Sequence, residues 1–173
     1  MQEVQRRFSP LVLMICLFLA VFTQGCPYSF TGGKPKAGLE TVTVNLFDNN
    51  ASLVNPTLAV DLTEKIKDKF ISASSLRLAN TGGDMEFEGE IVQYDVRPVA
   101  IQGNETAASN RLTVGVHVKY TCEKYPDDSW DKSFSQFSDF SSSLSLSGVE
   151  ADLVKDIVDR IAQDIFNKAL SNW

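Results

Sequence analysis

A histidine, several close carboxylates, a run of serines and three cysteines are the side chains of this 173-residue chain that could do chemistry. His117 is the only histidine and falls on the polar phase of an alternating run. A metal site would need carboxylates alone, or ligands from a partner. Glu86, Glu88 and Glu90 alternate along one run, and Asp127 and Asp128 share a turn-like Pro-Asp-Asp segment. Paired carboxylates can do acid–base work. A row at every second position reads better as a solvated strand face that discourages edge-to-edge pairing. Serines are dense between 133 and 147, yet no GxSxG elbow surrounds any of them. There is no P-loop and no dinucleotide fingerprint. The residues carry no signal for an enzyme, a cofactor or a metal.

The cysteines are more informative. Cys16 lies inside the apolar run Leu11–Phe22, which follows Arg6 and Arg7 and ends shortly before Gly25 and Cys26. A charged start, an apolar stretch of about a dozen residues and a small residue at its end make a secretory signal. Twelve helical residues rise only ~18 Å, too short for the ~30 Å hydrocarbon core. Gly25–Cys26 resembles the processing site of a lipoprotein signal peptide, with Thr23 where Leu is usual. That resemblance implies acylation of Cys26 and a lipid-anchored chain. The organisation expected is a signal over 1–25, a lipidated tether over 26–38 and one domain over 39–173. Cys122 is then left without a cysteine partner, on the apolar phase of a strand, and reads as a small buried hydrophobe.

Charge narrows the partners. Removing Arg6, Arg7 and Glu3 from 16 basic and 22 acidic residues leaves 14 and 21, a net charge of −7. Nucleic-acid binding is excluded as a general role, and an anionic ligand needs a local basic spot.

The elements that position these residues follow from periodicity. Residues 41–47 alternate as a half-buried strand. Asn55 and Pro56 predict a helix start, followed by Leu58, Leu62, Ile66 and Phe70 on one stripe and an Asp61–Lys65 surface pair. After the NTGGD turn, Met85, Phe87, Gly89 and Ile91 share one phase and Val92, Tyr94 and Val96 the other, which predicts a bulge near Ile91. Pro98 ends pairing or marks an edge. Residues 99–110 read as a long hairpin loop. The clearest strand is 111–122, and 130–140 is a weaker one. Ser147 and Glu150 predict a capping box, leading into a helix with Leu153, Val154, Ile157, Val158, Ile161, Ile165 and Ala169 on its apolar side. The expected fold is α+β: about four strands, mainly antiparallel or mixed, with both helices on one face and the other face more polar, in the order β-α-β-β-β-α.

Four segments in order carry a wider likeness: GCPYSFTG after the signal, Tyr94 and Pro98 followed by NETAASNRL (104–112), SFSQFSDF (133–140) and DIFNKALSNW (164–173). With them the chain resembles the LptE family of outer-membrane lipoproteins in its Bacteroidetes-like form. The resemblance implies a two-helix, four-stranded domain on the periplasmic side or inside the lumen of the large β-barrel LptD. There it would act as plug and assembly aid in inserting lipopolysaccharide into the outer leaflet. A domain of this length has a diameter near ~38 Å. A barrel of roughly 26 strands is about 50 Å across and can hold much of it. Lipid A phosphates need basic partners. The candidates are Arg97 beside the long loop, Arg111 and Lys119 on the polar face of the clearest strand, and Lys124 beside a turn.

A lipid-anchored regulator of a periplasmic enzyme, such as a peptidoglycan synthase, is the alternative. About a dozen residues separate Cys26 from the first strand, at most ~40 Å when extended, and this favours a partner at the membrane.

Overall fold

The computed structural model describes residues 35–53, 55–99 and 108–170. Cys26, the signal segment and most of the long hairpin loop lie outside the described residues. Among the described residues no helix is long and apolar enough to cross a membrane.

The chain order is β1 (Thr41–Val44), β2 (Asp48–Asn49), α1 (Leu58–Ala73), β3 (Arg77–Leu78), β4 (Met85–Val99), β5 (Ser109–Cys122), a 3-10 turn (Pro126–Asp128), β6 (Trp130–Ser141) and α2 (Leu146–Leu170). The sheet is mixed, in the order β3-β1-β4-β5-β6, with β2 pairing β4 beyond the end of β1. β1 runs parallel to β3 and β4, and β4, β5 and β6 form an antiparallel meander. Among the described residues the sheet has six strands, not about four. The two extra ones, β2 and β3, are two residues each. Pieces that short leave no alternation to read.

Side-chain phase assigns the faces. Leu112, Val114, Val116, Val118, Tyr120 and Cys122 of β5 are buried under the helices, as their alternation predicts. Phe87 stacks on Tyr120, with ring centroids 4.8 Å apart. Phe70 of α1 lies 4.8 Å from Phe87 and 5.3 Å from Phe166 of α2. These aromatic contacts join both helices to the centre of the sheet. Asn55 meets Glu150, Lys65 meets Asp159 and Phe70 meets Phe166, so the two helices run parallel.

The predicted bulge is present: Ile91 faces Val116, and the next pair is Gln93 with Gly115. It leaves Val92 exposed and returns Tyr94 to the core side. Among the described residues, Pro98 sits where β4 pairs only with β5, and its missing N–H suits such an edge.

Helix starts differ from expectation. α1 begins at Leu58, and Asn55 instead closes a turn by accepting from the Thr57 amide (3.1 Å) and hydroxyl (3.2 Å). α2 begins at Leu146, so Ser147 is already helical and no capping box forms. Glu150 is drawn away by Tyr94 and Asn55. Lys65 pairs at 2.5 Å with Asp159 of the neighbouring helix, not with Asp61. In each case a tertiary partner displaces the local one.

Gly89 and Phe47 were not legible as a pair. A β-carbon at Gly89 would lie 2.3 Å from the His117 carbonyl oxygen and 2.7 Å from the Phe47 ring. The bare glycine therefore lets the fully buried Phe47 lie flat on β4.

Candidate functional site

The helix-free face of the sheet carries the polar side chains in cross-strand rows. Glu88, Lys119 and Asp131 make one row, Glu90, His117 and Ser133 the next, and Arg97, Arg111 and Asp139 a third near the far end. Lys119 binds Glu88 at 2.6 Å and His117 meets Asp131 at 2.5 Å. The Glu86, Glu88, Glu90 row is thus a strand face in which Lys119 pairs with Glu88, and Asn45 and Asn50 donate to Glu86 (3.1 Å) and Glu90 (2.5 Å).

Only two of the four basic candidates come together. Arg97 and Arg111 face each other in register beside the hairpin end. Lys119 is eight residues back along β5, ~26 Å away at strand rise. Lys124 is at the opposite end of the sheet, bound to Asp84 and to the Gly38 carbonyl, both at 2.6 Å.

The arginine pair has a defined setting. Arg111 grips Asp139 through two parallel bonds of 2.7 and 2.8 Å, and its guanidinium lies 3.7 Å from the centre of the Phe137 ring. Arg97 meets Asp95 at 2.5 Å. Phe137 remains 42% exposed, so apolar surface lies beside Arg111; Val92, 47% exposed, is at the bulge, about 17 Å from Arg97 at strand rise. Gly115 adds no side chain, and the Gln93 side chain lies over it, 3.0 Å from where a β-carbon would stand.

Charge compensation is general. Hydrogen bonding to Asp139 raises the pKa of Arg111 and lowers that of Asp139. Glu88 does the same for Lys119, and Asp84 for Lys124. Every candidate cation already has an anionic partner. An incoming phosphate has to replace or share a carboxylate. This suits exchange at an exposed pair better than deep capture of an anion.

A second polar cluster lies between the helix starts. The Tyr94 hydroxyl donates to Glu150, and Asn55 donates to the same carboxylate oxygen at 2.9 Å. Burial, then the bond to Glu150, pushes the Tyr94 phenol up to about 12. Above it is a cleft of about 500 Å³ lined by Asp61, Lys65, Glu150, Val154, Lys155 and Asp159 among others. Lys65 pairs with Asp159 across it, and Asp61, Glu150 and Lys155 add charges of both signs, as at a helix–helix seam. Among the described residues no three His, Cys, Asp or Glu side chains are grouped to hold a metal ion.

The chain is similar in fold to two solved lipoproteins. One is a minor lipoprotein from Acinetobacter baumannii, at 14% identity and a TM-score of 0.51, covering 78% of this chain and 94% of that one. The other is the uncharacterized lipoprotein B from Nitrosomonas europaea, at 11% identity and a TM-score of 0.51, covering 77% and 83%. No curated protein matches the chain. The model of the LptE family, described as lipopolysaccharide-assembly, matches residues 39–169, from the residue before the end of the first loop to the last turn of α2. With that match spanning every strand and both helices, the chain belongs to the LptE lipopolysaccharide-assembly family.

Proposed function

We propose that this domain is the lipid-anchored partner of a large outer-membrane β-barrel of the LptD type, serving as plug and assembly aid in placing lipopolysaccharide in the outer leaflet. Family membership across residues 39–169 is the observation that carries the reading. The domain works by binding and positioning, not by turnover. Acylation at Cys26 holds it at the membrane, on the periplasmic side or within the barrel lumen.

Within that role the hairpin end of the sheet suits the glycolipid. Lipopolysaccharide presents phosphates beside acyl chains. Arg97 and Arg111, with exposed Phe137 against the Arg111 guanidinium, offer cations next to apolar surface. Phe137 and Asp139 hold the Arg111 guanidinium flat, and a phosphate would share or displace the Asp139 carboxylate on it. Lys119 and Lys124 are too far from this pair to act with it, and they serve cross-strand and loop contacts.

The test is the double reversal Arg97→Glu with Arg111→Glu, measured by lipopolysaccharide binding and by circular dichroism. Weakened binding with unchanged folding supports the assignment. Unchanged binding by the folded double variant refutes it. Depleting the protein in its host and measuring surface lipopolysaccharide tests the role itself: normal surface levels would argue against it.

A further inference from the structure

At the end of the sheet away from the arginine pair, the segment leading into β1 is fastened by side chains that the proposed function does not use. Lys36 to Leu39 form a tight turn, with the Leu39 amide donating to the Lys36 carbonyl at 3.1 Å and Gly38 at φ 81°, a conformation that favours glycine. Leu39 is buried in the core. Three contacts tie this turn to the chain just after β5. Lys36 pairs with Asp128 at 2.6 Å, the Tyr125 hydroxyl donates to the Ala37 carbonyl at 2.8 Å, and Lys124 donates to the Gly38 carbonyl at 2.6 Å.

Asp84 closes the arrangement from the start of β4. One of its carboxylate oxygens accepts from the amides of Glu40 (2.8 Å) and Thr41 (3.0 Å) and from the Thr41 hydroxyl (3.0 Å). The other meets Lys124 at 2.6 Å. The Asp84 amide returns a bond to the Thr41 hydroxyl at 2.9 Å. Gly83, next to it, has room only for a hydrogen: a β-carbon would lie 2.8 Å from the Thr43 amide. One carboxylate thus joins the entering segment, β1, β4 and the chain after β5.

We propose that residues 36–41 are a strap, locked by Asp84 and Lys124, that fixes the point where the anchoring segment joins the domain. The lock sits at the opposite end of β4 from Arg97. Thirteen residues separate Asp84 from Arg97, ~43 Å at strand rise. The strap therefore holds the tether's entry far from the arginine pair, and the hairpin end faces away from the point of attachment. Opening it would add six residues, ~20 Å of extended chain, to the tether and free the domain to turn. The Lys124 ammonium holds the Asp84 carboxyl far below the usual carboxylate range, so the lock stays charged at any pH the envelope meets. The consequence for membrane orientation rests on acylation at Cys26; the strap itself does not.

The experiment is residue-resolved amide hydrogen exchange on the full chain, comparing wild type with Asp84→Ala, Lys124→Met and Tyr125→Phe. The Leu39, Glu40 and Thr41 amides are expected to exchange at least about tenfold faster in Asp84→Ala and Lys124→Met, and a few-fold faster in Tyr125→Phe. Amides in the centre of β4 and β5 should keep wild-type rates. Unchanged rates at 39–41 would overturn the proposal. So would an equal acceleration across β4 and β5, because the segment would then open only with the whole domain. Tyr125→Phe, which loses one hydroxyl, keeps the test decisive if the other variants fold poorly. A spin label at Asn110 then reads orientation on phospholipid vesicles. Stronger contact with a lipid-soluble relaxation agent in Lys124→Met than in wild type supports the positioning role, and equal contact removes it. A chain that does not float with vesicles would refute acylation, while the exchange data still decide the strap.

Discussion

Replacing Gly89 by alanine tests how the sheet is held in shape. The added β-carbon would lie 2.3 Å from the His117 carbonyl oxygen on β5 and 2.7 Å from the Phe47 ring. The first neighbour is backbone within a paired strand and cannot rotate away. The second is a fully buried ring with no free space to enter. Overpacking a well-packed core costs about 1–3 kcal/mol, and a backbone contact this close puts Gly89→Ala at ~3 kcal/mol, the upper end of that range. For a domain of this size that lowers Tm by about 12 °C, at ~4 °C per kcal/mol. Phe47→Ala alone should lose ~3–5 kcal/mol by leaving a cavity. Combining the two relieves the ring contact but not the carbonyl contact. The double variant should therefore lose less than the sum of the singles, by ~1 kcal/mol or more. Urea unfolding followed by tryptophan fluorescence measures all three. A Gly89→Ala protein within ~0.5 kcal/mol of wild type, or strict additivity with Phe47→Ala, would refute the packing reasoning.

Three further outcomes follow from individual side chains. Tyr94→Phe removes a hydroxyl that satisfies Glu150 and should lose ~1–2 kcal/mol by chemical denaturation. The Tyr94 phenol is raised to about 12 in the fold against ~10 unfolded, so its contribution is complete below pH ~10 and lost as pH rises towards 12. A wild-type stability curve that falls no faster than that of Tyr94→Phe over this range would contradict the assignment. Asp84 shifts the other way: its contribution is full above the unfolded carboxylate pKa of ~3.9 and lost only as pH falls through its depressed folded value. The advantage of wild type over Asp84→Asn should therefore be constant from pH 5 to 8 and narrow below about 4 in acid titration. Cys122 is 1% exposed, so a thiol reagent should label it only after unfolding; rapid labelling of the native domain would place it elsewhere.

Much of the fold was readable because its strands alternate cleanly. The apolar phase of residues 112–122 and the change of phase at Ile91 both appear in the structure as predicted. The stripes on the two helices likewise fix which sides face the sheet. What failed was local chemistry exposed to tertiary competition. Ser147 with Glu150 has the spacing of a capping box, yet Glu150 is taken by Tyr94, which is 56 positions away. Lys65 had Asp61 one turn before it, and Asp159 on the parallel helix won. Strands of two residues carry no periodicity, so β2 and β3 were invisible. The candidate site was readable only in part. Arg97 and Arg111 flank one hairpin and had to meet, whereas Asp139 and Phe137, the partners of Arg111, come from a strand whose register no spacing announces. Asp84 read as a turn residue, because its contacts are with the chain 43 and 44 positions before it and with Lys124.

The most direct test of the proposed role is purification of the tagged, full-length protein from its own membranes in mild detergent, with quantitative mass spectrometry of what remains bound. A large outer-membrane β-barrel at close to one copy per copy is expected, with lipopolysaccharide in the same fraction. Recovery without a barrel, or with a soluble envelope enzyme such as a peptidoglycan synthase in its place, would contradict it.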